Sequence, residues 1–181
     1  MRTLLHICCA PCAIECIDAL RGEGRELTGF WFNPNIHPVT EYRARLDALK
    51  AYATGIDLPL VGHDHYGLKD FVRAVSADLD NRCGSCYEMR LNEAAGFAAA
   101  NGFEAFTTTL LISPYQNHEL LLETGRRAAR AHGVEFLERD FRPRFREGQK
   151  RARALELYMQ KYCGCVFSEE ERYHPRPSEI G

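Results

Sequence analysis

Short apolar runs separated by amphipathic stretches organise the chain. Residues 3–8, 27–32, 58–62, 105–110 and 134–137 read as short buried strands, four of them rich in β-branched or aromatic side chains. Between and after them, helical patterns cover residues 11–21, 40–54, 68–75, 87–101, 114–132 and 147–162. Strands that alternate with helices define an α/β fold: a Rossmann-like, doubly wound, mostly parallel sheet with helices on both faces. Ligands of such sheets bind beyond the carboxyl ends of the strands, so the strand-to-helix junctions are where chemistry is expected. No internal repeat or low-complexity linker interrupts the pattern. Residues 1–173 are therefore expected to form a single α/β domain, and 174–181, with two prolines, a loosely held end.

Cysteine changes this picture most. Eight cysteines fall as Cys8, Cys9, Cys12 and Cys16 at the first strand-to-helix turn, Cys83 and Cys86 as C-x-x-C, and Cys163 and Cys165 as C-x-C. The apolar run 4–10 is short, carries His6 and ends at Pro11, which suits neither a secretory segment nor a membrane span. The chain is thus expected to be cytoplasmic, with no membrane partner. Structural disulfides do not persist in that compartment, so grouped thiols point to metal ligation or thiol chemistry. Beside a helix N-terminus the dipole favours the thiolate, which is the form that binds metal. A 4Fe-4S cluster takes four thiolates, leaving three of the seven grouped cysteines for a second metal or a redox-active pair.

Two other readings stay open at this point. Four thiolates also suit a structural zinc, although its usual two C-x-x-C pairs lie about 15 to 20 residues apart and these groups lie much further apart. A dithiol reductase built on Cys9-Ala10-Pro11-Cys12 is the other, and it leaves four distant cysteines without a role. Cys16, one helical turn after Cys12, reads as a small buried hydrophobe.

A net charge of −2 excludes no partner, because the distribution of basic residues matters more than their sum. Arg139, Arg142, Arg144, Arg146, Lys150, Arg151 and Arg153 stand against only Asp140 and Glu147 in one stretch, with Phe141 and Phe145 interleaved. Such a mixture suits RNA, since guanidinium groups neutralise phosphates while rings stack on unpaired bases. A solvated helix face is the alternative. Arg142, Arg144 and Lys150 are the substrate-binding candidates here. Ser113-Pro114-Tyr115-Gln116 predicts a capped helix start, with Ser113 as N-cap and Gln116 closing a capping box. That start would place residues 107–113 at a strand end facing the cleft and make Ser113, Tyr115 and Gln116 substrate-binding candidates, a well-capped helix and nothing more being the alternative. The proline-rich loop at residues 33–38 adds Asn35 and His37, the latter a candidate to donate a proton or touch substrate, with an ordinary loop histidine as the alternative.

Five strings then carry a resemblance. They are Leu4-Leu5-His6-Ile7-Cys8-Cys9-Ala10-Pro11-Cys12, Asn33-Pro34-Asn35-Ile36-His37-Pro38, Arg82-Cys83-Gly84-Ser85-Cys86-Tyr87-Glu88-Met89-Arg90, Thr108-Thr109-Leu110-Leu111-Ile112-Ser113-Pro114-Tyr115-Gln116 and Tyr162-Cys163-Gly164-Cys165-Val166-Phe167-Ser168. In order and across nearly the whole chain, they resemble the QueH family of epoxyqueuosine reductases. The resemblance implies a fold similar to adenine nucleotide α-hydrolases. It also implies cobalamin-independent removal of the epoxide oxygen from epoxyqueuosine at the wobble position of tRNA, the last step to queuosine. By position, Cys8, Cys9, Cys83 and Cys86 would hold a 4Fe-4S cluster. Cys163 and Cys165 would form a catalytic redox pair or bind a second, mononuclear iron. Cys12 occupies a position where the family also carries aspartate, which suits a ligand of that second iron. The implied partners are the modified tRNA and a low-potential electron donor such as ferredoxin or flavodoxin.

Overall fold

A computed structural model describes residues 1–174. Its sheet is formed by β1 (Arg2–His6), β2 (Glu26–Trp31), β3 (Leu60–Gly62), β4 (Ala105–Thr108) and β5 (Glu135–Phe136), all parallel, in the order β3-β2-β1-β4-β5. Leu4 and Leu5 of β1 face opposite ways and are both fully buried, as expected of a parallel strand covered on each side. From β1 the chain steps outward through β2 and β3, then crosses back to lay β4 and β5 on the other side. The order reverses between β1 and β4. A doubly wound sheet opens its ligand crevice at that switch point.

The helices are α1 (Ala10–Gly22), α2 (Val39–Gly55), α3 (Leu68–Val75), α4 (Arg82–Ala100), α5 (His118–His132), α6 (Phe145–Ala154) and α7 (Val166–Tyr173), with short 3₁₀ turns at Thr109–Ile112 and Arg142–Arg144. The doubly wound α/β expectation holds. α5 crosses over β5 so closely that a Cβ on Gly125 would sit 2.3 Å from the Phe136 ring, which is why that helix carries glycine there.

Three expected boundaries are corrected. The helix expected from residue 114 begins at His118, because Asn117 is the N-cap and accepts the Leu120 N–H at 3.1 Å. Ser113 instead accepts the Tyr115 N–H at 3.3 Å in a turn, so the Ser113 capping box does not form. The helix expected to reach residue 162 ends at Ala154. There the Leu157 N–H bonds back to Ala152 with Glu156 in the left-handed region, and Leu157 packs on the core instead of extending the helix. α4 starts at Arg82, five residues before the expected 87, and so takes Cys83 and Cys86 into its first turns. α7 has no counterpart in the expected set. Of the loose end expected over 174–181, residues 175–181 lie outside the described residues, while His174 still donates its N–H to Glu170 at 2.7 Å.

Candidate metal centre at the switch point

The two strand ends that flank the crevice are tied together. Thr108, ending β4, lies 2.8 Å through its hydroxyl from His6 Nδ1 at the end of β1, and His6 Nε2 faces the Phe32 carbonyl at 3.3 Å. Nε2 therefore carries the proton. Burial, aided by the charge of Arg90, lowers the His6 pKa to about 3 and keeps the ring neutral. One step further, the Cys8 N–H donates to Thr109 Oγ1 at 3.2 Å.

Cys9 then serves as the N-cap of α1 with an extended backbone, and Pro11 occupies the first turn, where its missing N–H costs nothing. The outcome is a tight sulfur group: the Sγ atoms of Cys8, Cys9 and Cys12 all lie within 4.8 Å of one another, and all three residues are buried. Gln160 reaches in from the far end of the chain, its Nε2 at 2.9 Å from Cys9 Sγ and 3.6 Å from Cys12 Sγ. Hydrogen bonds from Cys12 and Cys9 hold the Cys8 thiol well below its ordinary pKa against the cost of burial. Cys9 is pushed up by burial, and Cys12 by its bonds to Cys8 and Cys9. Three crowded sulfurs that share so little negative charge fit a bound cation, which would let all of them ionise. This buried three-cysteine group can hold a metal. Cys16, fully buried on the next turn, stays outside it.

A second sulfur group is assembled from two segments. Cys83 and Cys86 stand three residues apart on α4, and Cys163-Gly164-Cys165 forms the turn that leads into α7. Gly164 has φ +144°, which a side chain rarely adopts, so the two cysteines need glycine between them. The turn is strapped down. Arg45, buried on α2, donates to the Cys163 and Tyr162 carbonyls at 2.9 and 3.0 Å while its Nε pairs with Glu41 at 2.7 Å. The His37 N–H bonds the Gly164 carbonyl at 2.8 Å, and His37 Nδ1 accepts the Val166 N–H at 3.3 Å. Burial raises Cys86 to about 12 despite Arg90 beside it, with negative charge on Cys163 adding to the rise. Cys83 is raised by burial and then by Cys163. Both cysteines of α4 thus feel the charge of the 163–165 turn, while Cys165 and Cys86 pack together with Phe71, Val75 and Phe167.

Both groups meet at one cleft of about 840 Å³, whose walls include Cys8, Cys12 and Cys163. Ser113, Tyr115 and Gln116 line it. Tyr87 donates to Gln116 Oε1 at 2.6 Å and so turns the amide nitrogen toward Cys163 Sγ, 3.3 Å away. The other candidates lie elsewhere. His37 and Asn35 are buried behind the cleft, and His37 uses both ring nitrogens internally, Nε2 lying 3.0 Å from the Pro34 carbonyl. Arg142 is held by Asp140, Arg144 by Glu15, and Lys150 faces Glu147, all away from the cavity wall.

The basic residues that do line it are Arg45, which is paired with Glu41, and Arg146, Arg153, Lys161 and Arg172, none of which pairs with a carboxylate among the described residues. Arg146, Gln149 and Arg153 follow one another at helical spacing on α6, which is a signal the sequence carried once the helix was placed. Gln160 and Arg45 had no such signal. Each reaches the sulfurs through a turn or a buried ion pair that only the fold creates.

Sulfur donors gathered from separate segments at the switch point of a parallel sheet, open to a cleft, mark an α/β oxidoreductase with a metal-binding thiol centre. Comparison with known proteins narrows the class. The family model described as Epoxyqueuosine reductase QueH matches residues 3–171, and the chain belongs to that family. It is 37% identical over 172 residues to the Epoxyqueuosine reductase QueH of Dehalococcoides mccartyi, covering 95% of this chain and 94% of the relative. Its likeness to the proteins of the same name from Acinetobacter baylyi and Thermotoga maritima is 35% and 34%, over 98% and 93% of this chain and 85% and 91% of theirs. Among the described residues no helix is long and apolar enough to cross a membrane.

Proposed function

We propose that this chain reduces epoxyqueuosine at the wobble position of tRNA to queuosine in the cytoplasm, drawing electrons from a low-potential donor such as ferredoxin or flavodoxin. One observation carries this reading: the cleft that holds the sulfurs is also walled by Arg146, Arg153, Lys161 and Arg172, and no carboxylate lines it among the described residues. Such a wall attracts a polyanion to the thiol centre.

The reaction takes up two electrons and two protons, replaces the two epoxide C–O bonds with a C=C bond and releases the oxygen as water. Iron bound as a 4Fe-4S cluster on Cys8, Cys9, Cys83 and Cys86, with a second iron at Cys12, Cys163 and Cys165, would supply electron transfer and a Lewis-acidic position. The chain supplies the rest. The free cations hold backbone phosphates near the sulfurs. Tyr115, 85% exposed and edge-on to Phe145 at 5.9 Å, offers a ring on which an unpaired base can stack. Gln116 and Gln160 aim amide donors at Cys163, Cys9 and Cys12 and restrain those side chains.

An anaerobically prepared sample is expected to be brown, with broad absorbance near about 400 nm, and to convert tRNA containing epoxyqueuosine to a product one oxygen lighter by mass. A colourless, zinc-loaded preparation without turnover would overturn the proposal. The cation wall has its own readout. Replacing Arg146 and Arg153 together by alanine should weaken tRNA binding and lower the slope of log affinity against log salt by about 2. The Arg142→Ala and Lys150→Ala exchanges should change that slope far less, since those side chains stand off the wall.

A further inference from the structure

Two arginines are buried beside the sulfurs, and they are neutralised differently. Arg45, 2% exposed, has Glu41 at 2.7 Å. Arg90, also 2% exposed, has no carboxylate partner among the described residues. Its Nη2 donates to Asn33 Oδ1 at 2.7 Å, and its Nε is buried without any acceptor. Asn33 in turn donates to the Ile7 carbonyl at 2.9 Å, which fixes the guanidinium between the end of β1 and α4.

A full positive charge in such a place is costly unless an anion compensates it. Its other hydrogen-bonding neighbour is sulfur: Nη1 lies 3.9 Å from Cys86 Sγ, one helical turn away, and its charge reaches Cys8 as well as the neutral His6 ring. Each of the two sulfur groups therefore has a member within range of this one cation.

Resting on the metal-centre reading above, we infer that Arg90 is the built-in counter-ion of the loaded centre, a positioning residue whose charge is only partly compensated until thiolates and metal together carry net negative charge. A thiolate-ligated iron–sulfur centre is anionic, and it becomes more so when it takes up an electron. A fixed cation beside it should favour both loading and reduction. The same cation works against the empty protein, so loading and stability are coupled through a single side chain.

The test uses the full chain as wild type, Arg90→Met and Arg90→Lys. Each is prepared stripped and iron-loaded, and three quantities are read: the melting temperature of both forms, iron and sulfide retained after desalting, and midpoint potential. Stripped Arg90→Met is expected to melt no lower than stripped wild type, yet to gain less on loading and to hold iron at least tenfold more weakly. Its potential should fall by about 59 mV or more, the equivalent of a tenfold change in a one-electron equilibrium. Arg90→Lys should recover most of the retention and potential. Equal loading increments and potentials in wild type and Arg90→Met would overturn the inference. Should Arg90→Met fail to fold, Arg90→Lys decides: a folded lysine variant that loads and reduces like wild type supports the charge role, and one that does neither overturns it. Wild type that takes up no iron would refute the metal-centre reading itself, an outcome distinct from the others.

Discussion

Cys8→Ser is expected to empty the metal centre and to lower turnover by at least about 10²-fold, since even residues that merely orient metal ligands cost about 10- to 100-fold when removed. Cys8 is singled out among the three grouped cysteines. It is the one held toward the thiolate, through bonds from Cys12 and Cys9, and it stands on the cavity wall with its N–H fixed by Thr109. Serine keeps the shape but offers a hard, protonated oxygen in place of a soft anion. Cys16→Ala is the matched control: Cys16 is fully buried on α1 but lies outside the sulfur group, so iron content should stay at the wild-type level. Iron analysis and turnover of the two variants side by side decide the matter. A Cys8→Ser protein with full iron and normal turnover would remove the basis for the proposed function.

The largest stability effect is expected from Arg45→Met. That exchange leaves Glu41, 8% exposed, without its buried partner and frees the carbonyls of Tyr162 and Cys163. Removing one member of a buried ion pair costs about 3–5 kcal/mol. The hydroxyl of Tyr158, which also bonds Glu41, offsets only part of this. Urea denaturation should show the loss, and the Cys163 and Cys165 thiols should alkylate faster because their turn is no longer strapped to α2. A loss below about 1 kcal/mol with unchanged alkylation would mean that the turn is held by other contacts.

Much of this architecture was legible in the sequence because its signals are local. Apolar strand runs and alternating helices gave the sheet, and cysteines at element junctions marked the end of the sheet where chemistry gathers. What escaped was long-range. The Ser113 capping box lost to Asn117, which offers the same kind of acceptor four residues on, and local pattern cannot rank two good caps. The halt of α6 at Ala154 has no glycine to announce it, because Glu156 adopts the left-handed conformation in its place. Which arginines are paired, with Glu15, Asp18 or Asp140, and which are left free on the cavity wall was hidden too, because it depends on contacts between elements. The pairing of sulfurs was likewise invisible: Cys8, Cys9 and Cys12 draw together at one turn, while Cys83, Cys86, Cys163 and Cys165 depend on contacts between α4 and a turn some eighty residues later.

α6 uses its arginines for two separate purposes. Arg144, in the turn before it, and Arg151 grip Glu15 of α1, Arg151 reaches Asp18 as well, and Gly148 lets the helices approach until a Cβ there would stand 3.3 Å from Glu15. Arg146 and Arg153 are left free to face the cavity. On the proposed reading, affinity for tRNA can therefore drift or be engineered on one side of this helix while its seat on the other side stays intact, so a weak-binding but normally folded version of the enzyme is within reach of two codon changes.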